Sequence, residues 1–241
     1  MNILKSILLL CIVSCSSGAS VPPKQYNDVV NALVDASATY DSMANKSFAD
    51  SSASAFSRKL IAVINALNNN WSMESAEYYS NFLIQLWNMD ESFTEKIDPF
   101  VLNHPKVRLE VARLIGQANK ICASNFDATV IGDYVRSNLH NSNPSIQLSA
   151  IRALGSVGNG QDVETLLGIV LEERNGFAEH AASSLDLLHD KGAYSALKSA
   201  VKQVKRDDLK KYITEINEYY DGSIRLPEGG CISNKDSKDS F

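Results

Sequence analysis

The stretch Pro144–Leu171, PSIQLSAIRALGSVGNGQDVETLLGIVL, reads as two helices joined by a glycine-punctuated turn. In the first, Ile146 is followed by Ala150, Ile151 and Leu154, which share one face at helical spacing. Pro144 stands where a missing N–H costs a helix nothing, and Gly155, Gly158 and Gly160 mark the turn. The second helix starts at Asp162 and presents Val163, Leu166, Leu167 and Val170. The same slots return 31 residues on: Ile146 becomes Phe177, with Ala181, Ala182 and Leu185 behind it, while Leu166 and Val170 become Leu197 and Val201. A further 31 residues lands on Asp208, in a last helix carrying Tyr212, Ile213 and Ile216. Upstream, Val107, Val111, Ala112 and Leu114-Ile115 repeat the pattern from Pro105, but 39 residues before Ile146. The eight extra residues are assigned to a longer connection around Lys120 to Asn125. A fixed period of this size predicts stacked helix pairs, each burying its apolar face only against its neighbours.

Outward from this region the pattern loosens. Residues 26–43, 57–68, 73–87 and 91–102 each carry apolar residues at helical spacing, without a clean 31-residue echo. This half, 25–103, is expected to be an irregular helical cap, since terminal units of repeat arrays are commonly atypical. The helix at 127–139 is expected to present Val130, Ile131, Tyr134 and Val135, and that at 193–204 Leu197 and Val201. Residues 221–241 are polar and aperiodic and are expected to be a disordered tail. The fold class expected is therefore all-α, an array of antiparallel helix pairs.

With 241 residues, 44% of them hydrophobic, the chain has ample material for a core. Its 23 basic and 28 acidic residues leave a net charge of −5. Binding along a nucleic-acid backbone needs clustered Lys and Arg, which argues against a nucleic-acid partner. The one basic run, Lys202, Lys205, Arg206, Lys210 and Lys211, is broken by Asp207 and Asp208 and reads as a solvated helix face.

Residues 1–20, MNILKSILLLCIVSCSSGAS, have the layout of an export signal: Lys5, an apolar core at Ile7–Val13, then small residues. The end of that core, Ile12-Val13-Ser14-Cys15, resembles the lipobox of bacterial lipoproteins. The resemblance implies cleavage after residue 14, diacylglycerol on the Cys15 sulfur, and an acyl chain such as palmitate on the new amine. More than one chain is needed for lasting attachment. Residues 15–24 would then be a tether, and in a Gram-negative cell Ser16 after the cysteine implies an outer-membrane address facing the periplasm. The alternative is an ordinary secretory signal cut after Ala19, with Ser17 and Ala19 as the small residues. Either route places the mature chain in the cell envelope or beyond.

Val107-Arg108, the small-residue pairs, and the closers Leu114-Ile115-Gly116 and Leu154-Gly155 make residues 103–220 resemble HEAT-like repeats, in the short form first noted in bilin lyases. The resemblance implies an α-solenoid over 104–220. It also implies that the helices starting at Pro105, Pro144, Gly176 and Asp207 line one concave face. Six residues after each opener stand Arg113, Arg152, Ser183 and Thr214, expected as an outward polar row, with Arg108 and Gln147 as a second, partial one. Arginines in such a row can grip carboxylates through two parallel hydrogen bonds; they can equally do no more than solvate a helix. The Arg that follows the opener in the family survives only as Arg108, being replaced by Gln147 and Ala178.

Catalytic and metal-ligating patterns are missing. His104, His140, His180 and His189 show no HxxxH or HExxH spacing and read as packed or capping residues. Phosphate loops, GxSxG elbows and SxxK pairs are absent. No metal, cofactor or enzymatic activity is expected. Two thiols, Cys122 and Cys231, remain after processing. In an oxidising envelope they invite a disulfide closing a loop of roughly 110 residues, worth up to about 4–5 kcal/mol in the chain-entropy account. The alternative is a buried Cys122 and a free Cys231.

The function expected is a non-catalytic, lipid-anchored scaffold or inhibitor that binds another envelope protein or peptide, an immunity protein against a toxin being a sharper form. The alternatives are a structural lipoprotein contacting the cell wall and an enzyme of the bilin-lyase kind.

Overall fold

The computed structural model describes residues 53, 55–60, 73–97, 99–120 and 126–219, with Asn31 and Val34 as isolated positions. Every regular element among them is helical, so the chain is all-α over this range. Residues 55–60 are helical, and the elements with defined bounds follow. They are α1 (Met73–Asn88), α2 (Glu91–Thr94), α3 (Pro99–Leu102), α4 (Pro105–Lys120), α5 (Ala128–Ser137), α6 (Pro144–Val157), α7 (Val163–Leu171), α8 (Phe177–Leu187), α9 (Lys191–Gln203) and α10 (Asp207–Tyr219). A 3-10 turn, Gly160–Asp162, leads into α7. Among the described residues no helix is long and apolar enough to cross a membrane.

Helix starts follow local chemistry. Asn143 accepts from the Ser145 N–H at 2.9 Å with Pro144 behind it, Asp127 accepts from Thr129 N–H at 2.9 Å, and Asp190 from Gly192 N–H at 2.7 Å. Each satisfies one of the orphan donors of a first turn. Before α8, Gly176 at φ 79° does this differently: its own N–H is taken by the Glu179 carboxylate three residues on, at 2.7 Å. The single helix expected over 91–102 is instead two short pieces, α2 and α3. Pro99 removes a helical donor, and its ring disfavours helical geometry at the residue before it.

The long helices pack in chain order. α4 lies on α6, α6 on α8, and α8 on α10, forming one row; α5 sits on α4 and α6, while α7 and α9 pair with each other and flank α8. α9 also meets α10, and α1 covers the start of the row against α4. The expected slots hold the core: Val107, Val111, Ala112 and Ile115, then Ile146, Ala150, Ile151 and Leu154, then Phe177, Ala181, Ala182 and Leu185 are all buried. Leu209 and Ile213 close the row, and Phe82, Leu83 and Leu86 of α1 join it. On α5, Ile131 and Val135 are buried as expected, but Val130 is 65% exposed. Among the described residues α5 turns Ile131 and Val135 towards α4 and α6 and leaves Val130 outside that contact, so its apolar face is narrower than the sequence implied.

Two glycines set the closeness of the row. A Cβ on Gly116 would stand 2.6 Å from the Ser156 carbonyl carbon, and one on Gly155 2.7 Å from Ser184 Cα. These residues fill the same slot in successive units but meet different ones: Ser156 stands ten residues after its opener and Ser184 seven, so the second contact is shifted by about one turn. Ser184 adds a hydrogen bond across the second contact, Oγ to Ile151 O at 2.8 Å. In the next unit Asp186 occupies the slot.

Candidate functional site

α4, α6 and α8 bury most of their surface and leave a largely polar stripe, while α10 buries only Leu209 and Ile213. Two slots supply the stripe. Glu110, Ser149, His180 and Lys211 stand in one, and Arg113, Arg152, Ser183 and Thr214 in the other, three residues along each helix. The α4 end is closed: Glu110 is buried, and Arg113, its side chain 14% exposed, donates from Nε to Glu110 Oε1 at 2.7 Å and from Nη2 to the same oxygen. From α6 onward the stripe opens. Arg152 is exposed, His180 and Ser183 are half-buried, and Lys211 is exposed beside Glu215. Ser183 Oγ lies 2.5 Å from Tyr212 Oη and 3.1 Å from Glu179 O. With the serine proton given to that carbonyl, the tyrosine is the donor, and the pair ties α8 to α10. Burial, and next to it the charge of Arg152, lowers the His180 pKa below the ordinary histidine value. The imidazole is therefore neutral at pH 7, with one donor and one acceptor nitrogen.

The other site residues expected from sequence do structural work. The Arg108 guanidinium lies 4.1 Å from the Trp87 ring centre and 5.3 Å from that of Tyr134, the two rings meeting edge to face at 5.5 Å. It also donates from Nη1 to Trp87 O at 3.4 Å. Arg108 thus joins α1 to α5 through cation–π contacts, and does not stand in an outward row. Gln147 donates to Leu139 O at 2.8 Å and accepts from Arg174 Nη1 at 3.2 Å, which commits both ends of its amide. His104 Nδ1 accepts from Lys106 N–H at 3.3 Å, the capping role expected of it. Cys15, Cys122 and Cys231 lie outside the described residues, as do the signal, the tether and the tail.

Ion pairs and charged hydrogen bonds link neighbouring helices elsewhere in the molecule. Arg136 on α5 grips Asp162, Nε to Oδ1 at 2.8 Å and Nη2 to Oδ2 at 3.0 Å. Glu173, at φ 52°, accepts the N–H groups of Lys205 and Arg206 at 2.8 and 2.7 Å, so one carboxylate anchors the turn before α10. Arg206 in turn reaches Glu173 O at 3.1 Å, Glu179 Oε1 at 2.7 Å and the Asp208 carboxylate. The basic run is a solvated face at Lys202, Lys205 and Lys211, but not at Arg206.

A second cluster gave no signal in the sequence. α4 has 16 residues against 14 in α6 and 11 in α8, and its last residue, Lys120, reaches past both neighbours. Its Nζ donates to Gly155 O at 2.6 Å and to Leu187 O. These carbonyls lie at the negative ends of two helix dipoles, where a cation is favoured. Burial nevertheless lowers the amine's pKa to about 8, against the pull of Asp186. His189 is lowered by burial and then by Lys120, while Tyr194, whose hydroxyl lies 3.5 Å from His189 Nδ1, is raised by burial and then by Asp186. Among the described residues no group of His, Cys, Asp and Glu is placed to hold a metal ion. No protein-family model matches this chain, nor does any curated protein or solved structure, so a functional reading has to come from these residues and their geometry.

Proposed function

We propose that this chain is a non-catalytic HEAT-like α-solenoid, held at the bacterial envelope by lipid on Cys15, that binds another protein along the α6–α8–α10 stripe. The observation that carries the reading is the contrast along the row. Every long helix in it commits its apolar face to the next, yet its outward stripe is polar and opens from Arg152 to Lys211. Stacked helices in register offer an extended surface rather than an enclosed pocket, which suits a partner segment better than a small substrate. The last helix supports the same reading: Asp207, Asp208, Lys211, Glu215 and Glu218 are exposed, the polar outer face expected of a capping unit.

The test is site-specific photo-crosslinking of the full chain in intact cells. Probes at Ser149 and Lys211 are expected to capture a common partner, and probes at Thr165 and Ser195, exposed on α7 and α9, to capture none. Equal capture from both sets would reject the stripe as the binding face. Membrane attachment is read separately: labelled palmitate should enter the wild-type chain and not Cys15→Ser. Labelling that survives this substitution would remove the anchor.

A further inference from the structure

The geometry points to Arg152 and His180 as a carboxylate-gripping point on this stripe, whose occupant is a partner-protein segment bearing an aspartate or glutamate. The inference rests on the binding reading above and adds the chemistry of the occupant.

Other arginines of the molecule are already engaged. Arg113 is bonded to Glu110, Arg136 to Asp162 and Asp133, Arg206 to Glu179 and Asp208, and Arg108 is stacked on Trp87 and Tyr134. Arg152 is exposed and makes no hydrogen bond or ion pair among the described residues. The carboxylate beside His180, that of Glu179, is not available to it: Oε1 accepts from Arg206 and Oε2 from Gly176 N–H, each at 2.7 Å. The stripe therefore presents an uncompensated guanidinium on α6 and, on α8 packed against it, the half-buried imidazole of His180. A guanidinium offers a planar fork of donors that matches two carboxylate oxygens, and an imidazole N–H adds a third.

The surrounding charge restricts the class of ligand. A chain of net charge −5 repels polyanions at long range, so a phosphate backbone or an acidic polymer is disfavoured. A lone carboxylate seated in the fork gains only at contact. Raising salt should therefore speed association, by screening the overall repulsion, and also speed dissociation, by screening the pair.

The test uses fluorescein-labelled decapeptides of Gly and Ser carrying Glu-Glu or Gln-Gln at the centre, titrated with the full chain and followed by anisotropy. The Glu peptide is expected to bind about tenfold more tightly than its amide isostere. Arg152→Ala should abolish that preference, Arg152→Lys should keep part of it, and Lys202→Ala, on α9, should leave it unchanged, with circular dichroism confirming the fold of each. Equal affinity for the two peptides, or a preference that survives Arg152→Ala, overturns the inference. So does Arg152-dependent binding to purified peptidoglycan sacculi in place of the peptide. A cross-linked partner whose contacting segment lacks Asp and Glu would leave the scaffold reading standing and remove this one. A Glu preference that tracks Arg152 without any cross-linked partner would do the reverse.

Discussion

Arg136 and Asp162 meet as two planar groups, Nε on Oδ1 at 2.8 Å and Nη2 on Oδ2 at 3.0 Å, and so join α5 to the turn that starts α7. The aspartate is buried, and the same Oδ2 accepts the Asn159 N–H at 3.0 Å, so one carboxylate serves both the turn and the link between units. Arg136→Ala strands a buried charge and is expected to cost about 2–3 kcal/mol. Arg136→Lys loses the parallel pair and should recover only part of that. Urea unfolding of both variants checks the order, and a loss below about 0.5 kcal/mol for Arg136→Ala would contradict it.

Glycine-to-alanine substitutions should change sign along the chain. Gly116→Ala and Gly155→Ala place a Cβ inside 3 Å of a neighbouring helix, against backbone atoms that cannot swing aside, and overpacking of this kind costs about 1–3 kcal/mol. Gly168, inside α7, has nothing within 4 Å of a built Cβ, and Gly168→Ala should stabilise by about 0.5–1 kcal/mol. Thermal unfolding of the three variants reads both signs. A stabilised Gly155→Ala would mean that α6 and α8 stand further apart.

Lys120 predicts a pH dependence of unusual sense. Folded, the amine releases its proton at about pH 8, whereas the unfolded side chain holds it to the ordinary lysine value of 10.5. Between these values the unfolded state binds more protons, so stability rises with pH. The burial penalty is present in full below pH 8 and fades towards pH 10.5, amounting to about 3 kcal/mol. Subtracting the profile of Lys120→Met cancels other groups, and the wild-type-minus-variant difference should climb across this window. A flat difference would show that the two carbonyls and Asp186 hold the charge as well as water does.

Arg108 is expected to be a packing residue. Arg108→Ala should loosen α1 against α5 by about 1–2 kcal/mol, and Arg108→Lys should not rescue it, because an ammonium cannot lie flat between Trp87 and Tyr134. Near-ultraviolet circular dichroism of the tryptophans follows the change. An Arg108→Ala variant of wild-type stability that lost partner capture would return this residue to the binding face.

Helix identity and slot assignment were legible from 105 onward because the same order of apolar positions recurs, at 31 residues after Ile146 and at 39 before it. Pro105 and Pro144 marked two of the helix starts, whereas the caps Asn143 and Asp190 emerge only from the structure, where the helix expected from 193 begins at Lys191. The row through Arg113, Arg152 and Ser183 was legible as positions, since six residues after a buried opener lies on the far side of the helix. Its chemistry was not. An arginine closed by Glu110 differs in sequence from the one left open at 152 only in the residue one turn before it, Glu110 against Ser149, and the burial of the first pair carries no residue-type signal. The Lys120 cluster was invisible for another reason: its partners lie 35 and 67 residues away and are main-chain carbonyls, which carry no residue-type signal. Pro99 was the opposite case, a local signal in plain view that outweighed the apolar spacing around it.

The reach of Lys120 from Gly155 to Leu187 has an evolutionary consequence. Tandem arrays commonly grow by duplicating an internal module, but one inserted between α6 and α8 would carry these two carbonyls apart by a helix width, beyond any single lysine. Gains in length are then confined to the flanks, and homologues of different size should keep this three-helix span as their invariant middle.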